Sequence, residues 1–486
     1  MSRFHLAMSL FLGVATAVLV WLWSATAAAD SAGVSTYHAD RGRSGNFIVP
    51  SLTYDRARSV HPDSGFNAEF AGHVYAQPLY WRGNLIVVTE DNTVEAIDGG
   101  TGREVWRRTL GTPVPRNALP CGDIDPLGVT GTPVITANGT LYVDAAVITR
   151  NGPRHEVFAL SLANGAVLPG WPADVATALA AKGANFIPRD LNERGALTIL
   201  GNRVYVAYSG HFGDCGDYRG WVVGVALNNP KDVIGWATAA RGGGIWGPGG
   251  VVTDGRSLFV TTGNTFGAAE WSDGEAVIRL SPELTFSRRS NDYFTPADWH
   301  SLDQRDLDLG GSNPVLFDAG GRALLLALGK DGNAYLLDHN NLGGIGGAVA
   351  QFAASSSPIR TGAALFPVQG GVFVAIQGSS AQCTNRGDLT VLKILTEPKP
   401  VISTAWCGQG NGRGSPIVTT TDGHSNPIVW MVGAEGDGRL RGFNGDNGAL
   451  LFTSGPMAGT RRFQTLIATP ARIYVAADGR VYAYAF

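Results

Sequence analysis

Several residues that could do chemistry lie in glycine-rich segments of this 486-residue chain. Asp303, Asp306 and Asp308 fall in DQRDLDLG, Asn264 in TTGNTFG and Lys330 in LGKDGN. Carboxylate and amide oxygens can ligate hard cations, and a carboxylate can accept a proton. The same residue types also cap turns and follow strands. These segments therefore predict either a polar site or ordinary turn structure.

Two further segments have unusual composition. Trp246 lies between glycines in GGGIWGPGG, and Asp214 and Asp217 lie on either side of Cys215 in GHFGDCGDYRGW. An indole in such a place can be a buried wedge between structural units or the floor of a ligand site. The histidines share no metal-like spacing, so no histidine metal centre is predicted.

The chain has four cysteines, Cys121, Cys215, Cys383 and Cys407. Their number predicts an oxidising compartment and two disulfides, for which three pairings exist. None lies in a C-x-x-C-H context, so covalent haem is not expected, and no C-x-x-C pair indicates zinc.

The first thirty residues have the pattern of an export signal. Arg3 supplies a positive start, residues 6–23 are an apolar run, and Ala27, Ala28 and Ala29 form a small-residue cleavage site. We predict cleavage after Ala29 and a periplasmic or secreted protein, with no membrane span in the mature chain. The alternative is an uncleaved membrane anchor, because the run is close to spanning length.

The composition narrows the fold class. There are 66 glycines, and only 16% of residues are charged, which disfavours a long helical or a disordered protein. The formal net charge is -3, so no overall field would attract nucleic acid or an anionic membrane.

The elements that must position these residues come from an internal repeat. The segments QPLYW, NLIVVTED, TVEAIDGGTG and EVWRRTLG are four short β-rich runs separated by turn residues, as in a four-stranded antiparallel meander. Weaker copies follow along the chain. First strands are predicted to begin near Gln77, Thr132, Ala196, Gly249, Asn313, Ala363, Ser415 and Gln464.

These eight units predict an all-β, eight-bladed β-propeller. The last unit ends at Phe486 after three strands, and FNAEFAG from Phe66 is an orphan strand before the first unit. We expect this N-terminal strand to complete the last blade and so close the ring. The predicted organisation is a signal peptide at 1–29, an extension at 30–65 and the propeller at 66–486. Two β-sandwiches are the alternative, but no linker divides the chain.

Strand direction alternates within a blade, so loops between second and third strands share a face with the links between blades. This scheme collects on one face Trp246, Asn264, Asp303, Asp306, Asp308, Lys330 and the four cysteines. It favours the pairings Cys121 to Cys215 and Cys383 to Cys407, because each pair meets there. Each disulfide is expected to staple long loops and contribute about 2 to 4 kcal/mol.

The ordered motifs resemble the pyrroloquinoline-quinone (PQQ) type propellers, a superfamily of quinoprotein alcohol dehydrogenases and of propellers without cofactor. They are TYHADRGRSG, HVYAQPLY, CGDIDPLGVTGTPV, GDCGDYRGW, GGGIWGPGG and DYFTPADWHSLDQRDLDLGGSNPVL, and they cover nearly the whole mature chain. The dehydrogenases hold the quinone over a tryptophan, under a disulfide of two adjacent cysteines. A calcium or lanthanide ion lies beside it, ligated by a glutamate, an asparagine and the aspartate that is the general base.

Carried onto this sequence, the resemblance implies that Trp246 is the quinone floor and Asn264 a metal ligand. Asp306 or Asp308 resembles the base, and Lys330 resembles the basic residue near the quinone oxygens. Each match also has a structural interpretation: the lysine and asparagine fit generic turns of the repeat, and the aspartates can cap turns.

The sequence departs from the family pattern at two places. Cys121 stands alone where the family has adjacent cysteines, and no glutamate accompanies Cys215, although Asp214 or Asp217 could replace it as a metal ligand. We therefore predict an exported binding or scaffold protein of the cell envelope with an incomplete quinone site, whose partner is an envelope protein or a polymer. The alternative is a soluble PQQ-dependent dehydrogenase that oxidises an alcohol or sugar with quinone and calcium or a lanthanide.

Overall fold

The computed structural model describes residues 33–384 and 387–486. The predicted signal segment 1–29 lies outside the described residues. Eight antiparallel sheets follow one another along the chain, and each forms one blade of a β-propeller. Every predicted first strand begins within three residues of its expected start. No helix among the described residues is long and apolar enough to cross a bilayer.

The strands before blade one are β1 (Asn46–Ile48), β2 (His61–Pro62) and β3 (Ala68–Glu69). Blades one and two contain β4 (Leu79–Trp81), β5 (Asn84–Val88), β6 (Thr93–Asp98), β7 (Glu104–Thr109), β8 (Val134–Ile135), β9 (Thr140–Thr149), β10 (Gly152–Ser161) and β11 (Ala173–Asp174). Blades three and four contain β12 (Leu191–Glu193), β13 (Thr198–Leu200), β14 (Arg203–Gly210), β15 (Trp221–Ala226), β16 (Asn229–Ala237), β17 (Val252–Thr253), β18 (Leu258–Thr261), β19 (Val277–Leu280) and β20 (Tyr293–Thr295).

The next segment contains β21 (Val315–Ala319), β22 (Arg322–Leu328), β23 (Asn333–Asp338), β24 (Gly344–Ile345) and β25 (Ala350–Ala353). All of these belong to blade five except β24, which pairs in parallel with β20 of blade four. Blades six to eight contain β26 (Ala364–Val368), β27 (Gly371–Gln377), β28 (Leu389–Leu395), β29 (Val401–Gly408), β30 (Ile417–Thr420), β31 (Ile428–Val432), β32 (Arg439–Asn444), β33 (Leu450–Pro456), β34 (Ile467–Ala468), β35 (Arg472–Ala477) and β36 (Arg480–Ala485). The helices are α1 (Tyr54–Arg58), α2 (Val175–Ala180) and α3 (Trp299–Arg305), with short 3-10 turns at Arg116–Ala118, Pro188–Asp190 and Leu309–Gly311.

The second strands are apolar on both faces because each blade packs against a neighbour on either side. The side chains of β18 are buried throughout, and those of β22 are buried from Leu324 onward. The outer strands instead expose most of their side chains to solvent. In β7, for example, Trp106 is the buried residue. Its Nε1 donates to the Leu162 carbonyl of blade two at 2.9 Å, and Gly165 leaves room for the ring. Trp106 of blade one and Gly165 of blade two thus fasten these two blades together.

The predicted ring closure is confirmed. The outer position of blade eight is filled by β3, which pairs antiparallel with β36, and β2 extends the same edge. The last sheet therefore joins strands from before blade one to the last strands of the chain and leaves no open seam beside blade one.

The segment 34–49 spans the central channel, a role that the sequence did not indicate. Its backbone exchanges hydrogen bonds with blades one, two, four, five, six and seven, through Tyr80, Ile135, Thr253, Leu316, Leu365 and Val418. Side chains of the segment contact the two remaining blades. Arg43 donates to Leu197 O of blade three, and His38 contacts the Thr465 hydroxyl of blade eight. We call residues 34–49 the channel plug. It fills the centre of the ring, among the first strands of the blades.

Candidate functional site

The predicted polar residues come from neighbouring connections of blades three to five. Trp246 lies in the link between β16 and β17, and Asn264 follows β18. The link before β21 contains α3 and a 3-10 turn and carries the three aspartates, while Lys330 follows β22. Because these are links and second-to-third loops, they emerge on one face, here called the link face.

Asp308 is the centre of the cluster. Its carboxylate is 5% exposed and lies 2.6 Å from Lys330 Nζ. The same Oδ2 accepts a hydrogen bond from Trp246 Nε1 at 3.1 Å, and Oδ1 accepts from the backbone N of Asn264 at 2.9 Å. The structure thus brings together four of the predicted site residues, and both oxygens of the carboxylate are engaged by the chain itself.

Asp306 has a different environment. It ends α3 in a left-handed conformation, with φ of 54°, and its carboxylate is 63% exposed. Lys330 Nζ lies 2.8 Å from it, so the ammonium group bridges Asp306 and Asp308. Burial lowers the pKa of Lys330, but the two carboxylates outweigh burial and the pKa is raised. The lysine therefore stays charged and neutralises the buried aspartate.

Asp303 ties the Asn264 loop to α3. Its carboxylate accepts from Thr265 N at 2.7 Å and from Thr265 Oγ1 at 2.6 Å, and burial raises its pKa. Asn264 itself is buried, and its backbone N rather than its side chain binds Asp308.

The two aspartates around Cys215 do not join Asn264 in a ligand set. Asp214 accepts a hydrogen bond from the Tyr218 hydroxyl at 2.6 Å, and burial raises its pKa. Asp217 is 73% exposed and lies 3.9 Å from Arg241 Nε. Within residues 33–384 and 387–486, no group of three or more His, Cys, Asp or Glu side chains is arranged to hold a metal ion.

Both predicted disulfides are confirmed. Cys121 pairs with Cys215 and Cys383 with Cys407, with Cα atoms 5.9 and 5.8 Å apart. The first joins the link after blade one to the second-to-third loop of blade three. It staples two loops whose cysteines are 94 residues apart in sequence.

Two residues of the site have no sequence signal that would have found them. Glu275 lies beneath Asp308: its Oε2 accepts from Leu309 N at 2.6 Å and its Oε1 has no hydrogen-bond partner. Burial, and next the charge of Asp308, raise its pKa well above the usual value. Arg194 lies over the Trp246 ring, with its guanidinium carbon 5.6 Å from the ring centroid.

These contacts test whether the residues fit a quinone and its metal. A floor tryptophan needs a free face, but the Arg194 guanidinium lies over Trp246 and is covered in turn by Phe463, whose centroid is 4.2 Å away. A metal needs open carboxylate oxygens, but those of Asp308 are bound by Lys330, Trp246 and Asn264. The described residues, as arranged, therefore do not fit a quinone and its metal ion.

Comparisons with known proteins agree on the fold. The family model described as outer membrane protein assembly factor BamB matches residues 63–277. The quinohemoprotein alcohol dehydrogenase of Comamonas testosteroni superposes with a TM-score of 0.65 at 16% identity, covering 94% of this chain and 81% of its own. No curated protein matches the sequence.

Two further structures have the same architecture. A europium-containing methanol dehydrogenase gives a TM-score of 0.67 at 13% identity, covering 94% of this chain and 98% of its own. BamB from Moraxella catarrhalis gives 0.53 at 15% identity, covering 88% and 100%. The likeness extends to enzymes and to an assembly factor, so it shows the fold alone. The activity has to be inferred from the site.

Proposed function

We propose that this chain, a PQQ-repeat, quinoprotein-dehydrogenase-like β-propeller, is an exported binding or scaffold protein of the cell envelope whose link face holds a partner. The observation that carries the proposal is the saturated Asp308 carboxylate, which has hydrogen bonds or ion pairs to Lys330, Trp246 and Asn264. A carboxylate held in this way is a structural centre rather than a free base or ligand. The likeness to BamB and the two disulfides support an envelope protein in an oxidising compartment.

The link face carries an anchor suited to a protein partner. Phe212 is 74% exposed, at the tip of the loop that the Cys121 to Cys215 disulfide fixes. An aromatic side chain on a fixed loop supplies apolar contact area at little cost in conformational entropy. We place the partner over this loop and the neighbouring links.

Site-specific photo-crosslinking tests this placement. A photoreactive residue at Phe212 in the exported protein is expected to give one discrete adduct, and the same residue at Val401 is expected to give none. Val401 is the matched control because it is also apolar, 55% exposed, and begins β29 directly after a third-to-fourth loop, on the face opposite the links. In a second experiment the photoreactive residue is placed at Asp217. Its adduct should weaken when Phe212 is also replaced by serine. Equal labelling from both faces would contradict the proposal.

A dehydrogenase that oxidises an alcohol or sugar is the second candidate. It is favoured by one observation: Trp246, Asn264, Asp308 and Lys330, which the resemblance assigns to the quinone site, do meet in space. This function requires Arg194 to leave the Trp246 face and Lys330 to release Asp308.

A thermal melt separates the two candidates. We expect no saturable rise in Tm when the protein is heated with PQQ plus calcium or lanthanum. The reason is that Arg194 covers the Trp246 ring and that groups of the chain already bind the carboxylate oxygens of Asp308. A cofactor present at a hundred times its Kd would add about 2.7 kcal/mol and raise Tm by several degrees. Such a rise, dependent on the metal and lost in Asp308→Asn, would establish the dehydrogenase instead.

A further inference from the structure

Two buried glutamates hold the same short segment of the link between blades one and two. Glu90 lies in the loop between β5 and β6, and Glu193 is the last residue of β12 in blade three. Glu90 Oε2 accepts a hydrogen bond from Gly128 N at 2.7 Å, and Glu193 Oε2 accepts from Gly131 N at 3.0 Å. We call these two carboxyl groups, together with the segment 128–131 that they hold, the carboxyl clamp.

The clamp fits closely around its segment. A Cβ atom at Gly128 would lie 2.1 Å from the Glu90 carbonyl oxygen, and one at Gly131 would lie 2.0 Å from Glu193 Oε1. Glu90 is 0% exposed and Glu193 is 3% exposed. A charge that forms on either carboxyl group therefore cannot reach solvent unless this backbone shifts.

Glu90 faces charged and titratable groups from several blades. The cations that act on it are Arg461 and Arg194, and the other groups are Asp91, Glu193 and Tyr75. No ion pair in the described part of the chain involves Glu90 or Glu193. Burial raises the pKa of Glu90 to about 7, because it outweighs the Gly128 N–H, the Thr130 hydroxyl and Arg461, which lower it.

Glu193 faces acidic groups. The charges that act on it are those of Asp144 and Glu90, and Asp144 is hydrogen-bonded to His155 and Tyr208. Burial, and next the charge of Asp144, raise the pKa of Glu193 well above its usual value. Its Oε1 has no hydrogen-bond partner among the described residues. Both carboxyl groups therefore favour the neutral form, and a charge on one opposes ionisation of the other.

We propose that the carboxyl clamp is a proton-sensitive switch in the link between blades one and two. The neutral carboxyl groups hold the segment 128–131 in place, and loss of their protons loosens it, because buried like charges repel and are poorly solvated. A carboxyl group with a raised pKa in the folded state stabilises that state fully below its unfolded value of 4.5. This contribution is lost as pH rises through the folded pKa, which is about 7 for Glu90. The clamp is closed in acid and opens as the solution becomes alkaline.

The clamp lies next to the surface on which we place the partner. The link that it holds carries Cys121, whose disulfide to Cys215 fixes the Phe212 loop. An open clamp should therefore weaken partner binding in alkaline solution. This consequence rests on the function proposed above, whereas the clamp itself does not.

Hydrogen exchange of the full chain, followed by mass spectrometry, tests the clamp with the variant Glu90→Gln. Glutamine keeps an oxygen for Gly128 N and cannot ionise. The exchange rate of peptides covering 126–131 in the wild type, divided by that in the variant, should rise at least about tenfold between pH 5 and pH 8. Comparing both proteins at each pH removes the intrinsic pH dependence of exchange. Glu193→Gln should act in the same direction.

Glu69→Gln is the matched control, because it makes the same change at a carboxylate that is 67% exposed and paired with Arg480. Its exchange at 126–131 should follow the wild type at both pH values. If Glu90→Gln does not fold, the wild type decides alone: exchange at 126–131 should rise from pH 5 to pH 8 relative to β28 in blade six.

A ratio of wild type to variant that is the same at both pH values would overturn the proposal. So would a wild type in which 126–131 and β28 respond equally to pH. None of these outcomes bears on crosslinking at Phe212, and a missing adduct there would contradict the partner while leaving the clamp in place.

Discussion

Replacing Arg43 by methionine is expected to lower the free energy of unfolding by about 5 kcal/mol. Arg43 is fully buried in the channel plug, and burial lowers its pKa to about 10. It makes five hydrogen bonds of 2.5 to 3.2 Å, to the carbonyls of Gly249, Leu197, Val251 and Tyr37 and to the Thr36 hydroxyl.

Methionine fills much the same volume and donates no hydrogen bond. It would leave four buried carbonyls without this donor, each at a cost of about 1 to 3 kcal/mol before relaxation. The lost contacts join the plug to blades three and four, so the channel should open on that side. The effect is therefore expected in the global unfolding transition rather than in a local one.

Urea denaturation of wild type and variant measures the effect. Arg480→Met, at a surface ion pair with a half-exposed arginine, is the control and should cost no more than about 1 kcal/mol. Arg43→Lys should lie between the two, since an ammonium group keeps the charge with fewer donors. A loss below about 1 kcal/mol for Arg43→Met would show that the plug does not stabilise the ring.

The repeat is what made the fold predictable. Each blade carries its own apolar second strand and turn residues, so local patterns alone located all eight first strands. Closure by the strand after Phe66 followed from counting three strands in the last unit, and β3 occupies that place. The cysteine pairs followed from alternating strand direction, which the topology fixes before any side chain is placed.

The channel plug and the position of Arg194 depend on contacts that no local pattern encodes. Residues 34–49 contain only a three-residue strand, and they are held by a few hydrogen bonds to each of several blades distant in sequence. Arg194 precedes an ordinary strand, and only the assembled ring brings Phe463 and Trp246 to its two faces. Likewise, the resemblance offered Asp306 or Asp308 as the base but could not show that Lys330 and Trp246 occupy the oxygens of Asp308.

A buried network between blades two and three lies outside the candidate site. His155 Nδ1 lies 2.8 Å from Asp144 Oδ2, and its Nε2 lies 3.0 Å from the Leu191 carbonyl. The Tyr208 hydroxyl donates to Asp144 Oδ1 at 3.0 Å. Both ring nitrogens face acceptors, so both carry a proton when Asp144 is ionised. Burial lowers the pKa of His155, but Asp144 and the Leu191 carbonyl outweigh it and the pKa is raised.

Asp144→Asn is therefore expected to cost about 3 kcal/mol at pH 5.5, because it breaks a fully buried imidazolium–carboxylate pair. A raised histidine pKa stabilises the folded state fully below the unfolded value of 6.5, and this contribution is lost as pH rises through the folded pKa. The difference between wild type and variant should accordingly shrink toward pH 9 in urea denaturation. Tyr208→Phe removes one neutral hydrogen bond and should cost about 1 kcal/mol at every pH in this range. A wild-type advantage that is constant with pH would mean that the His155 ring does not titrate in the folded protein.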